Sequence, residues 1–229
     1  MRQLVLAALI LASGSAAANV ASQSHRSQVA GIDLITYRTE VKDVVVILGS
    51  LPAGDAMAEP GNIAIPTLTG MMLDRGTKAL DKFAIAEQLD NVGAEIAFSV
   101  GTQSLEIRAK CLKKDLPLVI GLIATELRTP ALQLAEFNKA KQQFIGALEA
   151  SAQNTEARAQ EAFGRAIFPQ GHPNRPHAVS EYEAAAKSAT LDELKAFHTK
   201  FYGPAHLTLV VVGDVAAPET AAEIGKAFA

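Results

Sequence analysis

The sequence predicts an α+β fold in which helices pack on one face of a mainly antiparallel sheet. Two observations carry this. Alternating, β-branched stretches come in adjacent pairs, "IDLITYRTE" with "VVVILGS" and "AEIAFSVG" with "SLEIRAKC", the period-two pattern of half-buried strands. The helical stretches between and after them do not alternate one-for-one with strands, so the order differs from that of a doubly wound nucleotide-binding sheet.

Taken in order, strands are expected over residues 32–39 and 43–50, joined by a short turn near residues 40–42. The loop "LPAGDAMAEPG" follows, and Asn62 can cap a helix over 63–74 with Pro66 near its start and Gly76 just past its end. A second helix over 82–92 stops at Gly93. The pair "AEIAFSVG" and "SLEIRAKC", separated by "GTQ", reads as a hairpin. Three helices follow over 114–128, 132–153 and 155–168, the first capped by Asp115 and cut from the second by Pro130. A short helix over 180–186 leads to one opened by a capping box, Thr190 with Glu193. The apolar run "HLTLVVVGDV" is a central strand, and Pro218 starts the last helix. No internal repeat or low-complexity linker divides the chain.

Composition narrows the function. The 229 residues are 49% hydrophobic and 20% charged, with a formal net charge of −3. No basic run offers an electrostatic footprint for nucleic acid. The start, "MRQLVLAALILASGSAAA", has a basic residue, an apolar run over 4–12 and a small-residue cleavage site, which is a secretory signal peptide over 1–18. The polar residues 19–30 read as a flexible leader, and 31–229 as a single domain. A periplasmic or secreted location follows, with no membrane anchor after cleavage. Cys111 is the only cysteine, so no intrachain disulfide is possible; it ends an alternating run and reads as an inward-facing strand residue.

Three landmarks, "PGNIAIPTLTGMMLDRGT", "AEQLDNVGAEIAFSVG" and the long segment from "GHPNRPHAVSEYEAAAK" to "HLTLVVVGDV", together resemble the pitrilysin/insulinase family of zinc metallopeptidases. In that family the helix before the Gly-Thr pair carries an inverted motif, His-x-x-Glu-His. Two histidines four apart reach one Zn²⁺ from one helical face, and the glutamate activates the metal-bound water. Counting back from Gly76 and Thr77, the resemblance places the first ligand position at Thr67, the glutamate at Gly70 and the second ligand at Met71. None of these side chains can do the corresponding chemistry. The third ligand position falls on Glu149, which without its partners reads as a solvated helix residue. The resemblance therefore implies a chain with no catalytic and no metal-binding residues, needing no cofactor of its own and expecting zinc only in an active partner.

The resemblance also implies that the strand containing Ala94, Glu95, Ile96, Ala97 and Phe98 is an edge to which an extended peptide adds as a further strand, a mode that main-chain hydrogen bonds can sustain without metal. The expected function is a non-catalytic subunit, first half only, that forms a peptide chamber with a zinc-bearing partner. The alternatives are a stand-alone periplasmic peptide-binding module, a truncated half of a longer peptidase-like protein, and a zinc peptidase with relocated ligands. Other candidates carry less. His172 and His177 bracket "PNRP" in a loop, His198 and His206 flank a helix end and a strand start, His25 lies in the leader, and Asp214 reads as a turn residue. No nucleophile elbow or phosphate-binding glycine loop occurs.

Overall fold

Apolar residues alternate along the strands so that one side of the sheet is buried and the other is left open, and this asymmetry sets the architecture. The computed structural model describes residues 23–58 and 61–229. Its strands are β1 (Ser24–Val29), β2 (Ile32–Arg38), β3 (Val44–Leu51), β4 (Glu95–Val100), β5 (Leu105–Leu112) and β6 (Thr208–Gly213). They form one six-stranded sheet in the order β1-β2-β6-β3-β5-β4, antiparallel throughout except for the parallel pair β2 and β6. The helices are α1 (Ile65–Gly70), α2 (Lys82–Val92), α3 (Leu116–Arg128), α4 (Leu134–Gln153), α5 (Thr155–Ile167), α6 (Val179–Ser188), α7 (Leu191–Phe201) and α8 (Ala217–Phe228). Among the described residues no helix is long and apolar enough to cross a membrane.

The buried series Ile32 and Leu34 in β2, Leu209 and Val211 in β6, Val45 and Ile47 in β3, and Leu105 to Cys111 in β5 faces the helices. Ile120 and Ile123 of α3 and Ile224 and Phe228 of α8 close over Ile47, Leu209 and Val211. On the opposite face, Leu48 pairs across β6 and β2 with Val210 and Ile35, and Val46 with Val212 and Tyr37. These six side chains stay partly exposed, Leu48 at 43%.

Several expectations change. Residues 24–29, read as part of a flexible leader, form the edge strand β1, turned back onto β2 by Ala30 and Gly31 at φ of 50° and 85°. The strand is polar because one edge and one face meet solvent, so it lacks the apolar alternation that marks a strand, and alanine is not a usual residue at a left-handed turn position. The signal peptide expected over 1–18 lies outside the described residues. The second change concerns β2 and β3, which do not form a hairpin, because β6 lies between them. This central place gives the apolar β6 a partner on each edge. The short β2–β3 connection straddles the end of β6, with Thr39 N–H donating to the Gly213 carbonyl and Asp214 N–H donating to that of Val44. Third, Asp115 makes no side-chain cap on α3, which instead starts with Pro117 in its first turn.

Other local signals hold. Gly93 ends α2 in the left-handed region at φ 61°, and Thr190 and Glu193 exchange the two hydrogen bonds of a capping box. The first helix departs from its expected span: it starts at Ile65 with no side-chain cap, Asn62 Oδ1 accepting from Ala64 N–H ahead of it, and passes after Gly70 into a 3₁₀ turn at Leu73–Arg75.

Gly213 is the tightest point of the sheet. Its φ is 151°, and a Cβ there would sit 2.2 Å from the Val44 carbonyl oxygen. Gly213→Ala is therefore expected to lower unfolding stability by about 3 kcal/mol, read as a fall in the urea midpoint without a change in slope. A midpoint within error of wild type would contradict this account of the crossing.

Candidate functional site

The site is built where α1 meets the edge strand β4. Ile65, Leu68, Thr69 and Met72 of this helical segment are buried in the core, while Thr67 and Met71 are half-buried on the flank that faces β4. Thr67, Gly70, Met71, Asp74, Phe98 and Val100 line a cleft of about 270 Å³. The helix that the sequence resemblance makes a metal platform is thus present, and the three positions read as non-functional all line this cleft.

Thr67 is held by Asp55, which no sequence motif singles out. Its hydroxyl donates to Asp55 Oδ1 at 3.0 Å, and the Tyr182 hydroxyl donates to Asp55 Oδ2 at 2.8 Å. Burial pushes the Asp55 carboxyl upward, opposed by these two hydrogen bonds, and burial together with Asp55 pushes the Tyr182 phenol upward. Asp55 is fixed by its backbone. Gly54, Asp55 and Ala56 N–H groups donate to the carbonyls of Gln103, Gly101 and Thr102 at the tip of the β4–β5 hairpin. The approach at Gly54 is so close that a Cβ would lie 2.4 Å from the Gln103 carbonyl carbon, which is why glycine stands there. No local signal could reveal the Asp55–Tyr182 contact, which joins residues 127 positions apart.

Gly70, the position the resemblance gives to the base, is also closely packed. An ideal Cβ at this position would lie 2.4 Å from Val100 Cγ2 and 3.4 Å from Leu105 Cδ1. The space a glutamate stem needs is filled by Val100. Glu149 is exposed on α4, and among the described residues no group of three or more His, Cys, Asp or Glu could hold a metal ion. The residues present do not fit zinc.

At the cleft mouth, Asp74 is exposed, and Arg75 Nε lies 3.6 Å from it. Arg75 also reaches Glu136 at 3.5 Å and donates to Gln143 Oε1. Glu136 accepts from Lys139 at 2.8 Å and Lys82 at 3.0 Å, and these ammonium groups hold its carboxyl down at about 2. Behind Asp74, Glu126 of α3 is 1% exposed, and its Oε2 has no hydrogen-bond partner among the described residues. Burial first, then the nearby charge of Asp74, pushes its carboxyl up to about 8.

Of the five residues expected to meet peptide, the structure sorts two from three. β4 is the sheet's outer strand, and Gly101 N–H donates to the Ser104 carbonyl directly opposite it, which fixes the phase of the β4–β5 ladder. Alternating along an antiparallel pair, Glu95, Ala97 and Ser99 turn their N–H and C=O groups toward β5. Ile96 and Phe98 turn theirs outward, and no hydrogen bond from the described residues closes that side. Ala94 N–H is occupied by the Leu89 carbonyl.

None of the histidines lines this cleft. His172 stacks on Phe168 at 4.7 Å and its Nδ1 accepts from Asn174 N–H, while His177 lies 3.7 Å from Glu181. His198 bonds the Leu127 carbonyl at 2.8 Å, and burial lowers its pKa. Both His206 and His25 are exposed. Burial pushes the Cys111 thiol up to about 11, away from reactivity. Asp214 pairs with Lys113 at 3.3 Å.

Comparison with known proteins agrees with this geometry. A family model described as "Peptidase M16 inactive domain" matches residues 188–229. An uncharacterized zinc protease of Rickettsia bellii is 21% identical over 198 residues, covering 86% of this chain and 48% of that protein. The crystal structure of a peptidase M16 inactive domain from Pseudomonas fluorescens superposes with a TM-score of 0.80 at 18% identity, over 90% of this chain and 50% of that one. The periplasmic protease PqqL of Escherichia coli gives a TM-score of 0.79 at 17% identity, over 89% of this chain and 23% of that one. The chain spans less than half the length of the curated relatives it matches.

Two outcomes follow from the packing. Gly70→Glu is expected to cost about 2 kcal/mol through the clash with Val100, and adding Val100→Ala should return part of that loss, giving a non-zero coupling in a double-mutant cycle; strict additivity would refute the contact. For Glu126 the folded carboxyl is raised above its unfolded value, so the folded state holds the proton longer. Its effect is to lower stability as pH rises from the ordinary carboxylate range to about 8, levelling off above. Glu126→Gln should remove that part of the slope between pH 5 and 9 in urea titrations.

Proposed function

We propose that this chain, whose sequence landmarks and fold are those of the pitrilysin/insulinase (M16) peptidases, is a proteolytically inactive, peptide-binding element of that family. It completes a peptide chamber with a zinc-bearing partner chain in the periplasm. The observation that carries this reading is the juxtaposition at β4: outward main-chain groups at Ile96 and Phe98 beside a helix that holds threonine, glycine and methionine at positions 67, 70 and 71. Strand addition needs only the first of these, whereas hydrolysis needs ligands and a base at the second.

A further observation supports a partner. The open face of the sheet carries the partly exposed apolar cluster of Ile35, Tyr37, Val46, Leu48, Val210 and Val212, a surface of the kind that protein partners cover. A signal-peptide pattern over residues 1–18 and the periplasmic location in the name of PqqL support export. A stand-alone peptide-binding module uses the same edge without the partner.

The test uses proline as a main-chain probe. Ile96→Pro removes an outward N–H and leaves the β4–β5 ladder whole, which edge strands tolerate. It is expected to weaken binding of fluorescein-labelled extended peptides at least about tenfold, while Ile96→Ala, which keeps the N–H, stays near wild type. Equal binding by Ile96→Pro and wild type would rule out the edge. The same purified chain should contain no stoichiometric zinc and cleave none of the peptides; chelator-sensitive cleavage would overturn the inactive assignment. Recovery of the native chain with a protein bearing His-x-x-Glu-His favours the subunit, and recovery alone favours the module.

A further inference from the structure

The cleft beside β4 has no metal to hold, yet it is open and lies on the side of the sheet to which a docked peptide must point half of its side chains. Ile96, Phe98 and Val100 face the helices, since they share a side with the buried Ala109, Ile107 and Leu105 opposite them on β5. They are also the residues whose main-chain groups point outward. A peptide residue paired directly opposite Phe98 therefore bonds through its backbone and carries its side chain on the same side as the Phe98 ring. That side is the cleft of about 270 Å³ between α1 and β4.

Of the polar residues that line the cleft, Thr67 and Arg75 are already engaged, Asp74 faces solvent, and Ser99 lies on the rim strand beside Phe98. The Thr67 hydroxyl donates to Asp55 at 3.0 Å. The Arg75 guanidinium is held by Glu136 and Gln143. Asp74 leans outward, with its side chain 68% exposed. The apolar part of the lining is Met71, Phe98 and Val100, each partly exposed, together with the buried Gly70. A methionine wall is deformable and adapts to differing apolar shapes. The cleft is far larger than the ~30 Å³ share of one water molecule.

From this the geometry points to a side-chain pocket in place of the metal site: the cleft takes one apolar side chain, aliphatic or aromatic, from the peptide residue that pairs opposite Phe98, and so sets the chain's peptide preference. This inference rests on strand addition at β4 and adds to it a selectivity that main-chain bonding alone does not give. Gly70 and Met71 become specificity-determining residues, Gly70 by leaving room for Val100 to form the floor and Met71 by forming the wall.

The probes are nine-residue fluorescein-labelled peptides of threonine and serine with leucine, lysine or threonine at the centre. The full chain is titrated with each by fluorescence polarisation. The leucine peptide is expected to bind about tenfold more tightly than the threonine peptide, the scale set by burying one aliphatic side chain. Met71→Asp should abolish that advantage while retaining the weaker binding of the threonine peptide, so loss of both would mark a fold defect; Met71→Ala, with less disturbance, then decides the matter by a reduced leucine preference. Equal affinity for the three peptides, or preference for lysine, overturns the pocket. Ile96→Pro separates the two levels. If it abolishes binding while the central residue makes no difference, the edge stands and the pocket falls. If it leaves binding intact, or none of the peptides binds the wild-type chain, edge and pocket fall together.

Discussion

The constraint on which this molecule depends is the insertion of β6, a strand near the C-terminal end of the sequence, between two strands near its beginning. β2 and β3 are neighbours in sequence, but each forms its ladder with β6. The helix-facing core at Ile47, Leu209 and Val211 exists only once β6 is in place. Without it the sheet would part into the β1–β2 hairpin, too small to be stable alone, and a separate set of three strands, β3-β5-β4. The cooperative unit therefore spans nearly all the described chain, and the edge at β4 is held in position by residues far from it in sequence.

At the site, the same backbone plan supports different side chains from those hydrolysis requires. The absence of histidine is only part of the difference. Val100 occupies the volume beneath Gly70, and Asp55, strapped to the hairpin tip, ties Thr67 to Tyr182. The helix has been refitted around a carboxylate acceptor and an aliphatic floor. These contacts reinforce one another, so a histidine or glutamate placed at one of these positions would not by itself build a metal site.

Where sequence signals were local, they were legible. Gly93 at a left-handed helix end, the Thr190 capping box and the alternation of "SLEIRAKC" each specify their own conformation. The landmarks around residues 67–77 also located the helix of the site. What was illegible is non-local. β1 is polar because its edge and outer face meet water, which removes the pattern by which strands are recognised. The parting of β2 from β3 depends on pairing with a strand about 170 residues downstream. Asp55 sat in a loop of unremarkable composition, and its role arises from a fold-dependent meeting with α6. The outward phase of Ile96 and Phe98 required one observed hydrogen bond, Gly101 to Ser104, because period-two alternation fixes which face a side chain occupies but not which edge its main chain serves.

The two ends of the sheet are unlike, and that has a consequence for molecules left unaccompanied at high concentration. One border, β4, offers bare rungs between apolar residues; the other, β1, is polar and carries Arg26 clasped to Asp33 by two hydrogen bonds. Two copies meeting through their receptive borders would cap each other and leave only the charged borders outward, so association by this route closes at a pair instead of growing into a fibre.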